Sequence, residues 1–268
     1  MRRWPRSSGT SAAAAVVLAL AAAVAAQSAE LTVMTSGALA APLRELLPAF
    51  ERSSGTTLTV VSGGSVGGAP DSIPNRLQRG ERADVLVMAS SSIDDMIQAG
   101  SVVPGSRVDL VRSRIGIAVR AGTPKPDIST VEALKRTLLA AKSIAYSSSV
   151  SGVYVSTELF QRLGIAKEAL AKGRKIDGEP VAAVVARGQA EIGFQQISEL
   201  RPVAGVEVVG PLPDAVQRVT IFSAAIGASA ANRAGAHALI EFLASPSAAP
   251  VFTKSGLEPI AIAAAIRD

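Results

Sequence analysis

Three short segments combine hydroxyl side chains with glycine: Thr35-Ser36-Gly37-Ala38, Ser62-Gly63-Gly64-Ser65 and Ser147-Ser148-Ser149-Val150-Ser151-Gly152. Each follows a run that reads as a strand and precedes a segment that reads as a helix. Hydroxyls and free backbone N–H groups at such junctions point to one place, beside the positive end of a helix dipole. Glycine lets the backbone approach a ligand closely. A site of this kind suits an oxyanion without a formal positive charge. Serines also cap helices routinely, and the repetition of the pattern three times sets a shared anion site beside that plainer reading.

The second segment contains Gly63-Gly64-Ser65-Val66-Gly67, a literal G-x-S-x-G. This raises a serine hydrolase using Ser65 and the single histidine, His237, as an alternative. Two features weigh against it. His237 falls inside the amphipathic stretch Ala231–Leu243, and Pro70 and Pro74 make a poor start for the helix behind a nucleophile elbow. One histidine, no cysteine and scattered carboxylates leave no ligand cluster, so no metal site and no cofactor are expected. Asp94-Asp95 reads as a solvated first turn of a helix, and Lys135-Arg136 as a solvated helix face.

The elements that must position these loops alternate between strand and helix, which argues for an α/β fold with mostly parallel strands. Strands are expected at Leu31–Thr35, Leu58–Val61, Asp84–Met88, Ile115–Val119, Ser143–Tyr146, Ile192–Phe194 and Val206–Val209. Helices are expected near Ile93–Ala99, Val131–Ala141, Gly152–Leu163, Pro180–Arg187, Ala231–Leu243 and Ser247–Lys254. A further helix carries Leu39, Leu43, Leu46, Leu47 and Phe50 on one face. Arg112–Ile115 and Val219–Phe222 are plausible crossings between two domains.

The chain has 268 residues and is 48% hydrophobic, enough for one large or two small cores. Its net charge of +5 owes three charges to Arg2, Arg3 and Arg6, in a stretch of 26 residues without an acid, which leaves +2 for the rest. A nearly neutral chain has no electrostatic reason to seek nucleic acid or anionic lipid. Aromatic residues make up 3%, too few for a stacking platform. The basic start, the apolar run Ala12–Val24 and the small residues after it read as a signal peptide over 1–26, cleaved after Ala26, Ser28 or Ala29. With no cysteine to carry a lipid, the mature protein is expected free in the periplasm.

Several segments together resemble periplasmic molybdate-binding proteins and their relatives. They are Leu31-Thr-Val-Met-Thr-Ser-Gly-Ala-Leu-Ala, Phe50-Glu-Arg-Ser-Ser-Gly-Thr-Thr-Leu-Thr-Val and Gly80-Glu-Arg-Ala-Asp-Val-Leu-Val-Met-Ala. Val150-Ser-Gly-Val-Tyr, Ala190-Glu-Ile-Gly-Phe and Phe252-Thr-Lys-Ser-Gly-Leu-Glu-Pro-Ile are also similar. The resemblance spans the mature chain in order. It implies a two-lobed periplasmic-binding-protein fold of type II with two hinge crossings. Lobe 1 would comprise 27–113 plus 221–268, and lobe 2 would comprise 114–220. It further implies a monomeric receptor of an ABC importer that closes on its ligand and hands it to an inner-membrane permease, without acting as an enzyme.

The resemblance also implies a ligand site. Its first position falls on Ser36 or Ala38, with alanine where molybdate receptors have serine. The second falls on Ser65, the third on Ser151, and a backbone contact near Gly178. The tyrosine that contacts molybdate in the family aligns with Gln196, after Gln195. Molybdate or tungstate is the ligand the resemblance implies. The Gln-Gln pair, Ser151 and nearby Arg114 leave a small carboxylate or other organic anion as the alternative, and Arg114 also reads as a hinge surface residue.

Overall fold

The computed structural model describes residues 30–261 apart from residue 68; the expected signal peptide and its cleavage position lie outside the described residues. In chain order the elements are β1 (Glu30–Ser36), α1 (Gly37–Ser54), β2 (Thr57–Gly63), α2 (Ile73–Gln78), β3 (Val85–Ala89), α3 (Ser90–Gln98), β4 (Val108–Arg120), α4 (Val131–Ala140), β5 (Ile144–Ser147) and α5 (Val150–Tyr154). A π turn over Val155–Leu159 carries α5 into α6 (Phe160–Arg162). Then come α7 (Ala166–Ala171), β6 (Gly173–Ile176), α8 (Val181–Ala186), β7 (Ile192–Gln196), α9 (Ile197–Leu200) and β8 (Val206–Pro211). After a 3-10 turn at Asp214–Val216 the chain closes with β9 (Val219–Ile226), α10 (Arg233–Ala244), α11 (Ala249–Lys254) and β10 (Leu257–Pro259).

Helix α1 shows how the apolar pattern selects an element. Leu39, Leu43, Leu46, Leu47 and Phe50 recur at helical spacing and are all buried. Gly55 stops the helix in the left-handed conformation, with its N–H donating to the Glu51 carbonyl at 2.9 Å. Strand β3 reads Val-Leu-Val-Met-Ala and is buried throughout, as a central strand covered on both faces must be.

The strands run in the order β2-β1-β3-β9-β4-β7-β5-β6, with β10 and β8 also paired to β4. Neighbours β1/β2, β1/β3, β5/β6 and β5/β7 are parallel. Every antiparallel pair involves β4 or β9. Strand β4 pairs with β9 from Val108 to Arg114 and with β7 from Ile115 onward. Burial changes owner at the same place. Leu110 and Val111 belong to a core built with α1, α10 and α11, while Ile115, Ile117 and Val119 belong to one built with α4, α5 and β7. The sheet therefore has two halves with separate cores, and β4 runs through both.

Among the described residues no helix is long and apolar enough to cross a membrane.

Candidate functional site

Between the two halves of the sheet lies a cavity of about 190 Å³. The first half contributes Gly37, Ser62–Gly64 and Asp71; the second contributes Ser147–Ser149, Gly178, Glu179, Gln195 and Glu199. The three hydroxyl-and-glycine loops thus come to one place, because each sits at the C-terminal end of β1, β2 or β5. That is where ligands bind in open α/β sheets. The third loop depends on Gly152, where a Cβ would lie 1.6 Å from the Ser147 carbonyl oxygen. Only glycine permits that approach.

Ser36 is the N-cap residue of α1, yet its side chain makes no capping bond. Its Oγ is buried without a partner. A buried hydroxyl left unpaired costs stability, so this one is available to a bound group. Ser65 is differently engaged. Its Oγ accepts from the Ala89 N–H at 3.1 Å, and its own N–H donates to Ser149 Oγ at 3.2 Å, joining the two halves across the cavity. Ser151 is buried, with its Oγ 3.2 Å from Ser147 Oγ. Gly178 lines the cavity in the left-handed conformation, φ 74°.

Of the six expected contacts only Gly178 lines this cavity; Ser36, Ser65 and Ser151 stand behind the loops that do, and Ala38 and Gln196 are engaged elsewhere. Ala38 is packed in the core beneath α1. Gln196 does not line the cavity: its Oε1 accepts from Ser113 Oγ at 2.8 Å and its Nε2 donates to Thr220 Oγ1 at 3.3 Å. Ser113 lies on β4 and Thr220 on β9, so Gln196 ties together the two strands that link the halves. Alternation along β7 is the reason, since successive side chains leave opposite faces of the strand. The glutamine that reaches the cavity is Gln195. Arg114 pairs with Asp214 on the outer surface, away from the cavity. His237 is exposed on α10 and makes no bond to Ser65, so the serine–histidine pair of a hydrolase is not assembled.

The residue that sequence reasoning missed is Glu199. It is half-buried, and its Oε1 accepts from Gln195 Nε2 at 3.0 Å. Burial pushes its carboxyl up to about 7, against the lowering effects of the Gln195 amide and the Gln196 N–H. The signal available was its place shortly after the Gln195-Gln196 pair, at the end of a strand where ligands bind in open α/β sheets. The Oε1 of Gln195 is buried without a partner, like Ser36 Oγ. No lysine or arginine lines the cavity. A larger cavity of about 620 Å³, lined by Arg120, Lys142 and Glu191 among others, belongs wholly to the second half and meets none of the three loops.

The family model for bacterial extracellular solute-binding proteins matches residues 31–258. An aconitate isomerase from Pseudomonas sp. is 47% identical over 230 residues, 86% of this chain and 88% of that protein. The molybdate-binding protein ModA of Azotobacter vinelandii is 25% identical over 87% of this chain and 92% of its own length. Among solved structures, the Azotobacter vinelandii periplasmic molybdate-binding protein superposes with a TM-score of 0.67 at 22% identity, covering 85% of this chain and 98% of that one. The sulfate-binding protein of Mycobacterium tuberculosis gives 0.69 at 18% identity, covering 87% of each chain. At those identities the superpositions bear on the fold, which they share with this chain. The expectation that the protein is not an enzyme is overturned by the Pseudomonas relative, whose name is that of an isomerase.

Proposed function

The chain belongs to the bacterial extracellular solute-binding protein family, and from that premise we propose that it binds a small organic polycarboxylate between two lobes and interconverts its isomers. The observation that carries this reading is the pairing of Glu199 with Gln195 in a cavity lined also by serines, glycines and the carboxylates Asp71 and Glu179. The likeness to an aconitate isomerase supplies the substrate class, an unsaturated tricarboxylate.

An alkene flanked by a methylene group can isomerise by proton movement alone. A base removes a methylene proton, the electron pair spreads through the double bond onto a carboxylate, and a proton returns at the other end of the three-carbon unit. No co-substrate is consumed. The chain has no cysteine, so addition and elimination of a thiol is not open to it. Glu199 in its acid form donates a hydrogen bond to the carboxylate on which charge accumulates, the role a neutral carboxylic acid fills in an apolar site. Asp71 and Glu179, which line the cavity from its two halves, are the carboxylates that serve as base.

In this reading lobe 1 comprises 27–113 with 221–268, lobe 2 comprises 114–220, and the hinges fall at Arg112–Ile115 and Val219–Phe222. The change of partners along β4 between Arg114 and Ile115 supports that division. The ligand sites are Ser36, the Ser65 and Ser151 loops, Gly178, Gln195 and Glu199. A ligand held by both lobes favours the closed state through the contacts unique to it.

The test is incubation of the exported protein with trans-aconitate, followed by proton NMR, beside calorimetry against molybdate, sulfate and citrate. Appearance of the cis isomer is the expected result. Tight molybdate binding with no carboxylate binding would overturn the proposal. The family match favours a second reading, a receptor that delivers the same organic anion to an ABC permease; carboxylate binding without turnover would select it.

A further inference from the structure

We infer that the cavity takes its carboxylate ligand together with one proton, held by Glu199 and shared with the ligand. The inference rests on the carboxylate reading above and concerns how that anion is accommodated.

The first argument is the balance of charge. Three carboxyl groups, Asp71, Glu179 and Glu199, line the cavity and no lysine or arginine does; of the three, Glu179 is exposed and ion-paired at 2.7 Å with Arg187, which follows α8. The elements packed against α9 offer no compensation. Strand β7 and helix α8 carry no charged residue. On β8, Glu207 pairs with Lys125. On β4, Asp109 pairs with Arg107 and Arg114 with Asp214, while Arg112 and Arg120 are exposed. The charged residues of α1 begin at Arg44, two turns from Gly37, and Glu45 pairs with Lys254. Arg201, at the end of α9, donates to the Lys254 carbonyl. An ionised ligand carboxylate placed about 4 Å from an ionised Glu199 would lose on the order of a thousandfold in affinity. A proton on Glu199 removes that penalty and turns the contact into a charge-assisted hydrogen bond.

The second argument is geometric. Gln195 Oε1 is an acceptor, it lines the cavity, and it is buried without a partner in a residue only 5% exposed. An ionised carboxylate has acceptors only and cannot satisfy it. A proton on Glu199, whose Oε1 already accepts from Gln195 Nε2 at 3.0 Å, places a donor between that acceptor and the ligand. Ser36 Oγ, equally unpartnered in a residue 3% exposed at the start of α1, supplies a donor to the ligand's other oxygen. With the Glu199 carboxyl raised by burial to about 7, the proton is available near neutrality.

The test is calorimetry of the exported protein with trans-aconitate at pH 8, in two buffers of different ionisation enthalpy. The inference expects uptake approaching one proton per ligand, and a Kd that weakens roughly tenfold between pH 7.5 and 8.5. Glu199→Gln should still bind aconitate, with no proton uptake and a flat pH dependence. Should that variant fail to fold, the buffer pair on the unaltered protein decides alone. Binding with no proton uptake, or equal uptake in Glu199→Gln, overturns the inference and leaves the carboxylate reading standing. Failure of aconitate and citrate to bind anywhere between pH 6 and 8.5 overturns both.

Discussion

Glu199 Oε1 lies 2.1 Å from the point that a Cβ on Gly37 would occupy, so the carboxyl rests against the backbone of the first residue of α1. The contact joins a side chain of the second half of the sheet to a helix N-terminus of the first. Gly37→Ala is expected to push the carboxyl aside while leaving the fold intact, because the colliding atom ends a flexible side chain and alanine favours a helix. Unfolding free energy should change by less than about 1 kcal/mol, and aconitate affinity should fall tenfold or more. Urea denaturation beside calorimetry checks both; a variant with unchanged affinity would remove this contact from the site.

Ser36 and Ser65 should respond oppositely to loss of the hydroxyl. Ser36 Oγ has no partner, so Ser36→Ala should leave the empty protein within about 0.5 kcal/mol of its original stability, or slightly above it, and weaken ligand binding. Ser65 Oγ accepts from the buried Ala89 N–H, so Ser65→Ala should cost about 1–3 kcal/mol without ligand. Thermal unfolding of both variants, with and without aconitate, separates the two roles.

Stability should fall as pH rises between about 4.5 and 7. Glu199 has its folded-state value raised to about 7 from an ordinary 4.5. In that window the folded protein keeps a proton that the unfolded chain has released. The contribution is fully present below the unfolded value and lost as pH passes the folded one, at most about 3 kcal/mol. Glu199→Gln should flatten that part of a stability-against-pH profile measured without ligand. A variant whose profile tracks the original would show that Glu199 does not titrate there.

Gln196 should behave as a hinge residue. Gln196→Ala leaves Ser113 Oγ and Thr220 Oγ1 without their shared partner between β4 and β9. The expected cost is about 2–3 kcal/mol in urea denaturation. The radius of gyration of the empty protein, read by X-ray scattering, should also increase. Weakened binding with unchanged stability and scattering would return Gln196 to the ligand.

Much of the frame was legible because it depends on local periodicity. The spacing of Leu39, Leu43, Leu46, Leu47 and Phe50 defines α1, and the apolar run before it defines β1. Short elements were less legible: α2, α7, β6 and β10 span three to six residues each. They are too brief for a period to show, and they form because neighbouring strands and helices hold them.

By itself the sequence determined that three hydroxyl-and-glycine loops follow strands, that the aligned tyrosine position is a glutamine, and that no cysteine is available for chemistry. These are properties of residue type and order. Which glutamine meets the cavity between the halves was settled only by the tertiary structure, because a one-residue step along β7 moves a side chain to the opposite face. The same holds for Glu199. Its acidity depends on how far packing withdraws its carboxyl from water and which amides reach it, and both follow from α9 being brought against α1 across the two halves of the sheet.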